Sequence, residues 1–332
     1  MPGCRLTAPT RIPGRMRLPT QSSLGGLIPA ALLIAVSSMM PSVVAGQVAP
    51  VAPAAPRAGV SSAMRAASQL DLNGETSAAR VIFQKMIDTA ATPASKAAAQ
   101  RAMAMSYAFD GDCANTVKYE TMVIAYWASR EAAEPQNAFY QEGEMANEAA
   151  RVCIDAGDLA AAEQWYRAGY ELGVKEPSPQ THPRSLWDYR LAHALGRIAA
   201  RRGDRAEAER QIAGARRALE SDTGMAAQQE RFFPYLVGYV ALYTNDLQTA
   251  EAQFTKAIAM RGNEKDPFMN CLLGMTYDKM GRRAEADAIY RKAYDMATAH
   301  NPPSAFVRPF VRKKLGIAAV AEQGFPPPIT KF

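Results

Sequence analysis

Residues 271–297 read CLLGMTYDKMGRRAEADAIYRKAYDMA. A cysteine, several carboxylates and a pair of arginines look like the raw material of a site. Leu273, Gly274, Tyr277, Ala286, Tyr290 and Ala293 look instead like packing, because small and large residues alternate at helical spacing. A packing unit recurs along a chain and a catalytic site does not. The first question is therefore whether the pattern has copies.

It has five more. Aligned on a turn residue, the copies centre on Gly74, Gly111, Gly157, Gly203, Asn245 and Gly281. Five positions beyond the turn stand Ala79, Thr116, Ala162, Ala208, Ala250 and Ala286. Nine beyond stand Phe83, Glu120, Tyr166, Ile212, Phe254 and Tyr290, and twelve beyond stand Met86, Val123, Gly169, Ala215, Ala257 and Ala293. Seven before the turn stand Ala67, Ala104, Ala150, Gly196, Gly238 and Gly274. Small residues fall where two helices must approach closely, and a large one follows a helical turn later on the same face. Gly or Asn at the turn supplies the left-handed conformation that ends one helix and admits the next.

These phased positions resemble the tetratricopeptide repeat family, whose unit is a helix–turn–helix of about 34 residues. The resemblance covers roughly residues 61–297 and is best in the sixth unit, the stretch quoted above. Turn-to-turn spacings of 37, 46, 46, 42 and 36 exceed the family's, and GVKEPSPQTHPR (173–184) is the clearest inserted loop. The second unit departs: Thr116 and Glu120 stand where a small and an aromatic residue belong, which predicts a shifted second helix. The resemblance implies an all-α superhelix of about six helical hairpins over residues 61–300. Residues 301–317 follow, with Pro at the start of a helix and Phe306, Val307, Phe310, Val311 and Leu315 on one apolar face. This segment reads as a capping helix over the last repeat, as the end of an array requires. Residues 318–332 read as a mobile tail.

The chain has 332 residues, 48% of them hydrophobic, and a formal net charge of +6. Arg5, Arg11, Arg15 and Arg17 carry four of those charges, so the remainder is only +2 and gives no reason to expect nucleic acid. No Asp or Glu precedes Asp71. The apolar run LIPAALLIAV (27–36) follows the basic segment, and Val43 and Ala45 satisfy the small-residue rule for cleavage after Ala45. Residues 1–45 read as a signal peptide for export to the periplasm or beyond. An uncleaved membrane anchor and a mitochondrial presequence are the alternatives. Residues 46–60, rich in Ala, Val and Pro, read as an extended linker.

No GxSxG, HExxH, GxxxxGK[ST] or GxGxxG motif occurs, and His182, His193 and His300 are isolated, which points away from catalysis, a metal or a cofactor. Once Cys4 has left with the leader, three cysteines remain. Cys113 and Cys153 fall at the same end of neighbouring units, where they either bridge or pack as small core residues. Family geometry places the inner-face positions at thirteen, ten, six and three before each turn. The candidate partner-binding residues are then Arg101, Asn147, Arg151, Arg190, His193, Arg197, Phe232, Tyr235, Tyr239, Phe268 and Met275. The middle of this face is basic and its C-terminal part aromatic. Arginine forks suit carboxylates, and aromatic rings give contact area at low entropic cost. The chain therefore reads as a non-catalytic scaffold or adaptor that holds a protein or peptide segment carrying acidic groups and an apolar portion. The alternatives are a membrane-anchored envelope component that self-associates and an accessory subunit of an envelope enzyme.

Overall fold

The computed structural model describes residues 61–318; the leader, the linker and all but the first residue of the tail lie outside them. In chain order the helices are α1 (Ser62–Asn73), α2 (Thr76–Asp88), α3 (Pro93–Phe109), α4 (Cys113–Ala128), α5 (Pro135–Ala156), α6 (Leu159–Gly173), α7 (Arg184–Arg201), α8 (Arg205–Ser221), α9 (Thr223–Gln229), α10 (Phe233–Tyr243), α11 (Leu247–Ala259), α12 (Pro267–Lys279), α13 (Arg283–Met296) and α14 (Pro302–Leu315). A 3₁₀ turn, Glu230–Phe232, links α9 to α10. No strand occurs among the described residues. The pairs α1/α2, α3/α4, α5/α6, α7/α8, α10/α11 and α12/α13 pack as hairpins, and successive hairpins pack on each other. This is an all-α superhelix of the tetratricopeptide type with a C-terminal cap.

The six turns show how local sequence sets this fold. All six aligned turn residues hold positive φ, from 64° at Asn245 to 95° at Gly74, so each ends its helix in the left-handed region. In four turns the next residue is an Asp that caps the second helix. Asp112, Asp158, Asp204 and Asp246 accept the backbone N–H of Asn115, Ala161, Glu207 and Thr249 at 2.9–3.2 Å. Where a helix then passes its partner, glycine is required by space. A Cβ on Gly274 would stand 2.7 Å from the Tyr290 ring, and one on Gly238 would stand 3.0 Å from Phe254. The large residue of each second helix thus lies in the hollow left by the small residue of the first.

The second hairpin is in register, contrary to the shift its sequence predicts. Thr116 and Glu120 occupy the aligned positions and are both fully buried. The Thr116 hydroxyl donates to the carbonyl oxygens of Asp112 (2.8 Å) and Ala104 (3.2 Å), so a polar residue is satisfied in an alanine's place. Glu120 is not satisfied, since neither carboxylate oxygen has a partner. Burial, with Glu148 as the second cause, holds its carboxyl well above the usual carboxylate range and favours the neutral acid.

Helix α14 does more than cover the last repeat. It packs on α12 and α13, and also on α1, α3 and α5 of the first three hairpins. Val307 and Val311 are fully buried in the C-terminal core, and Phe306 meets Phe268 edge-on at 5.0 Å. At the other end His300 Nε2 stands 2.7 Å from Asp71 Oδ2, and its ring stacks on Phe109 at 5.5 Å. Asp71 is fully buried and also accepts the Ser106 hydroxyl at 2.8 Å; burial pushes its carboxyl up despite both partners. Arg312 donates to the carbonyl oxygen of Leu72. A solenoid's units ordinarily touch only their neighbours. Here residues more than 200 positions apart are joined, and α14 lies across the first helices of several hairpins, α1, α3, α5 and α12.

Candidate functional site

Beside the start of α14 lies a cavity of about 430 Å³. Seven of the sequence-derived residues line it: Asn147 and Arg151 from α5, Arg190, His193 and Arg197 from α7, Phe232, and Tyr235 from α10. Helical phase brings them together, because inner-face positions of successive hairpins point the same way. Five further residues join them: Glu144, Glu148, Tyr166, Tyr189 and Gln229. Tyr166 and Tyr189 are core residues by burial, yet both reach this cavity. Phasing assigns Tyr166 wholly to the core because periodicity locates a Cβ and not the far end of a long side chain. Asn301, Pro302 and Pro303 supply the wall contributed by α14.

The charges are unevenly satisfied. Arg190 pairs with Glu144, and Arg101 pairs with Glu148, its Nε at 3.1 Å. Arg197, only 6% exposed, meets no carboxylate. Its guanidinium donates to the hydroxyls of Tyr166 (2.8 Å) and Tyr235 (3.1 Å) and weakly to the His193 carbonyl (3.4 Å). Arg151 lies over the Phe268 ring at 4.5 Å, and its buried Nε has no partner. Neither Arg151 nor Arg197 forms an ion pair among the described residues. The nearby Asp155 feels both of them and Arg201, yet burial still raises its carboxyl to about 6. His193 is pushed well below the usual imidazole range, by burial first and then by Arg197. It is therefore neutral, and Nε2–H is the tautomer that donates to the Phe232 carbonyl at 3.3 Å.

The other four candidates are elsewhere. Arg101 lines a neighbouring cavity with Met105, Trp127 and Pro302. Tyr239 and Phe268 are 1% and 2% exposed, and Met275 packs against the same C-terminal core. They occupy the inner-face phase without being open to a partner, because α14 and the neighbouring helices cover them. The aromatic half of the expected groove is thus filled by the chain itself. Cys271 is likewise fully buried.

Cys113 and Cys153 are bridged, with 4.7 Å between their Cα atoms, tying the start of α4 to the last turn of α5. Ser106, Asp71 and His300 form a grouping that resembles a catalytic triad, and its order is wrong. Asp71 sits between the other two, so the serine donates to a carboxylate and has no imidazole to take its proton. His182 is held by the buried Glu176 at 3.0 Å and stacks on Tyr140 at 3.8 Å, as part of the 173–184 loop. No group of three or more His, Cys, Asp or Glu among the described residues could hold a metal ion, and none of the described helices is long and apolar enough to cross a membrane.

Comparison with known proteins agrees with the architecture at its best-formed unit. No curated protein matches the chain. The family model described as tetratricopeptide repeat matches residues 269–300, which cover most of α12, the turn, α13 and the four residues after it.

Proposed function

We propose that the protein is a non-catalytic scaffold or adaptor that acts outside the cytoplasm and captures an acidic segment of a protein partner in the concave cavity. The observation that carries this reading is the pair Arg151 and Arg197, two guanidinium groups beside the cavity that form no direct ion pair among the described residues, with Asp155 as the nearby acid that feels both. Desolvated cations without partners cost stability, and an incoming carboxylate would offset that cost. Phe232 and Tyr235 offer the partner's apolar portion a smaller surface than the inner-face phase suggests, since Tyr239 and Phe268 are covered. Export is supported by the basic-then-apolar leader and by the Cys113–Cys153 bridge, a bond that persists in oxidising compartments.

The test has two steps. A photo-crosslinking residue at Phe232 identifies the partner in the native cell, and binding is then measured with purified Arg151→Glu and Arg190→Glu. We expect each charge reversal to weaken binding by about tenfold or more with helicity retained. Unchanged affinity in both variants would place the partner on another face.

A further inference from the structure

The hydrogen-bond inventory of the cavity is lopsided. A phenol oxygen can accept hydrogen bonds and still donate its own proton. Tyr166 and Tyr235 each accept one N–H from Arg197, and neither donates to any group among the described residues. Two O–H donors, polarised by the cation behind them, therefore remain at the cavity wall. Arg151 adds an Nε with no partner and a charge in no direct ion pair among the described residues, though Asp155 feels it. The acids of the same cavity are already engaged: Glu144 by Arg190 and Glu148 by Arg101. His193 directs its ring N–H to the Phe232 carbonyl. The first turn of α14 adds no free N–H: Pro302 and Pro303 have none, and those of Ser304 and Ala305 go to Asn301. What is left over is a set of donors with a net positive charge, with the side-chain amides of Asn147 and Gln229 beside them, in a space of about 430 Å³. That volume admits a small molecule as well as the acidic side chain of a partner segment.

We propose that this cavity binds a small free oxyanion, an inorganic phosphate or a small carboxylate-bearing molecule. Arg151 neutralises its charge, and the Tyr166 and Tyr235 hydroxyls, held in place by Arg197, donate to its oxygens. The proposal deepens the reading of the cavity as an acid-recognising site, but a free anion can bind there whether or not a protein segment does.

Calorimetric titration of the full chain with inorganic phosphate and, separately, with succinate tests it, at constant ionic strength set with sodium chloride. The expected result is saturable, one-to-one binding of at least one of the two; which one it is tells the phosphate class from the carboxylate class. Arg151→Gln should weaken that binding by about tenfold or more, because it removes a charge-assisted contact. Tyr166→Phe and Tyr235→Phe keep the rings and should each weaken it about three- to tenfold. No saturable heat with either anion at about 10 mM would overturn the proposal. So would binding that is unchanged in Arg151→Gln and in the two tyrosine variants. Anion binding with no loss of partner capture in the Arg151→Glu protein would uphold this site and reject the partner reading instead.

Discussion

Replacing Val307 with Asp should detach α14 and open the concave face while leaving the six hairpins folded. Val307 is fully buried in the core that also holds Val311, Tyr290 and Cys271. A carboxylate placed there is buried in an apolar core, and the penalty is about 3 kcal/mol or more. The loss should stay local, because each hairpin is held by its own turn and its neighbours. Cys271 reports the change. In the native protein it is fully buried, and burial pushes its thiol up, so alkylation is suppressed twice over. Peptide-mapped alkylation of Cys271 should be at least about tenfold faster in Val307→Asp, with most of the helical signal retained. Equal alkylation in variant and wild type would mean that α14 does not cover this core.

Removing the bridge by Cys113→Ala with Cys153→Ala should lower stability by about 2–4 kcal/mol. The two cysteines are 40 residues apart, so the bond closes a loop long enough to restrict the unfolded chain substantially. It also ties the second hairpin to the third, where Glu120 leaves a buried carboxyl without a partner. Denaturant unfolding should give a lower midpoint for the double variant than for oxidised wild type. The difference should vanish when wild type is unfolded in a reducing agent. A wild-type midpoint that ignores the reductant would show that the bond is not formed in the protein.

Much of this molecule is legible residue by residue. The six turn residues announce left-handed conformations, and Gly238 and Gly274 announce the close approach of Phe254 and Tyr290. The Asp that follows four of those turns is an equally local signal, overlooked by a search for small and large residues alone. Inner-face phase correctly gathers Arg151, Arg190 and Arg197, since hairpins that stack in register present equivalent positions together. Phase does not tell exposure. Tyr239 and Phe268 share it and are buried, Phe268 against Phe306 of the returning α14 and Tyr239 among Tyr235, Tyr243 and the neighbouring helices. That return depends on superhelix curvature, the sum of small rotations between hairpins. No short stretch of sequence encodes such a sum. For the same reason His300, isolated in the sequence, finds Asp71 across the array.

The closure of the superhelix by α14 underlies both the cavity and its chemistry, since Asn301, Pro302 and Pro303 form one wall of it. A double-mutant cycle between Asp71 and His300 probes that closure directly. These residues lie 229 positions apart in sequence and 2.7 Å apart in space. Unfolding free energies of wild type, Asp71→Ala, His300→Ala and the double variant should yield a coupling of about 1–3 kcal/mol. A coupling of zero within error would mean that the two ends do not meet, and that the concave face is an open groove.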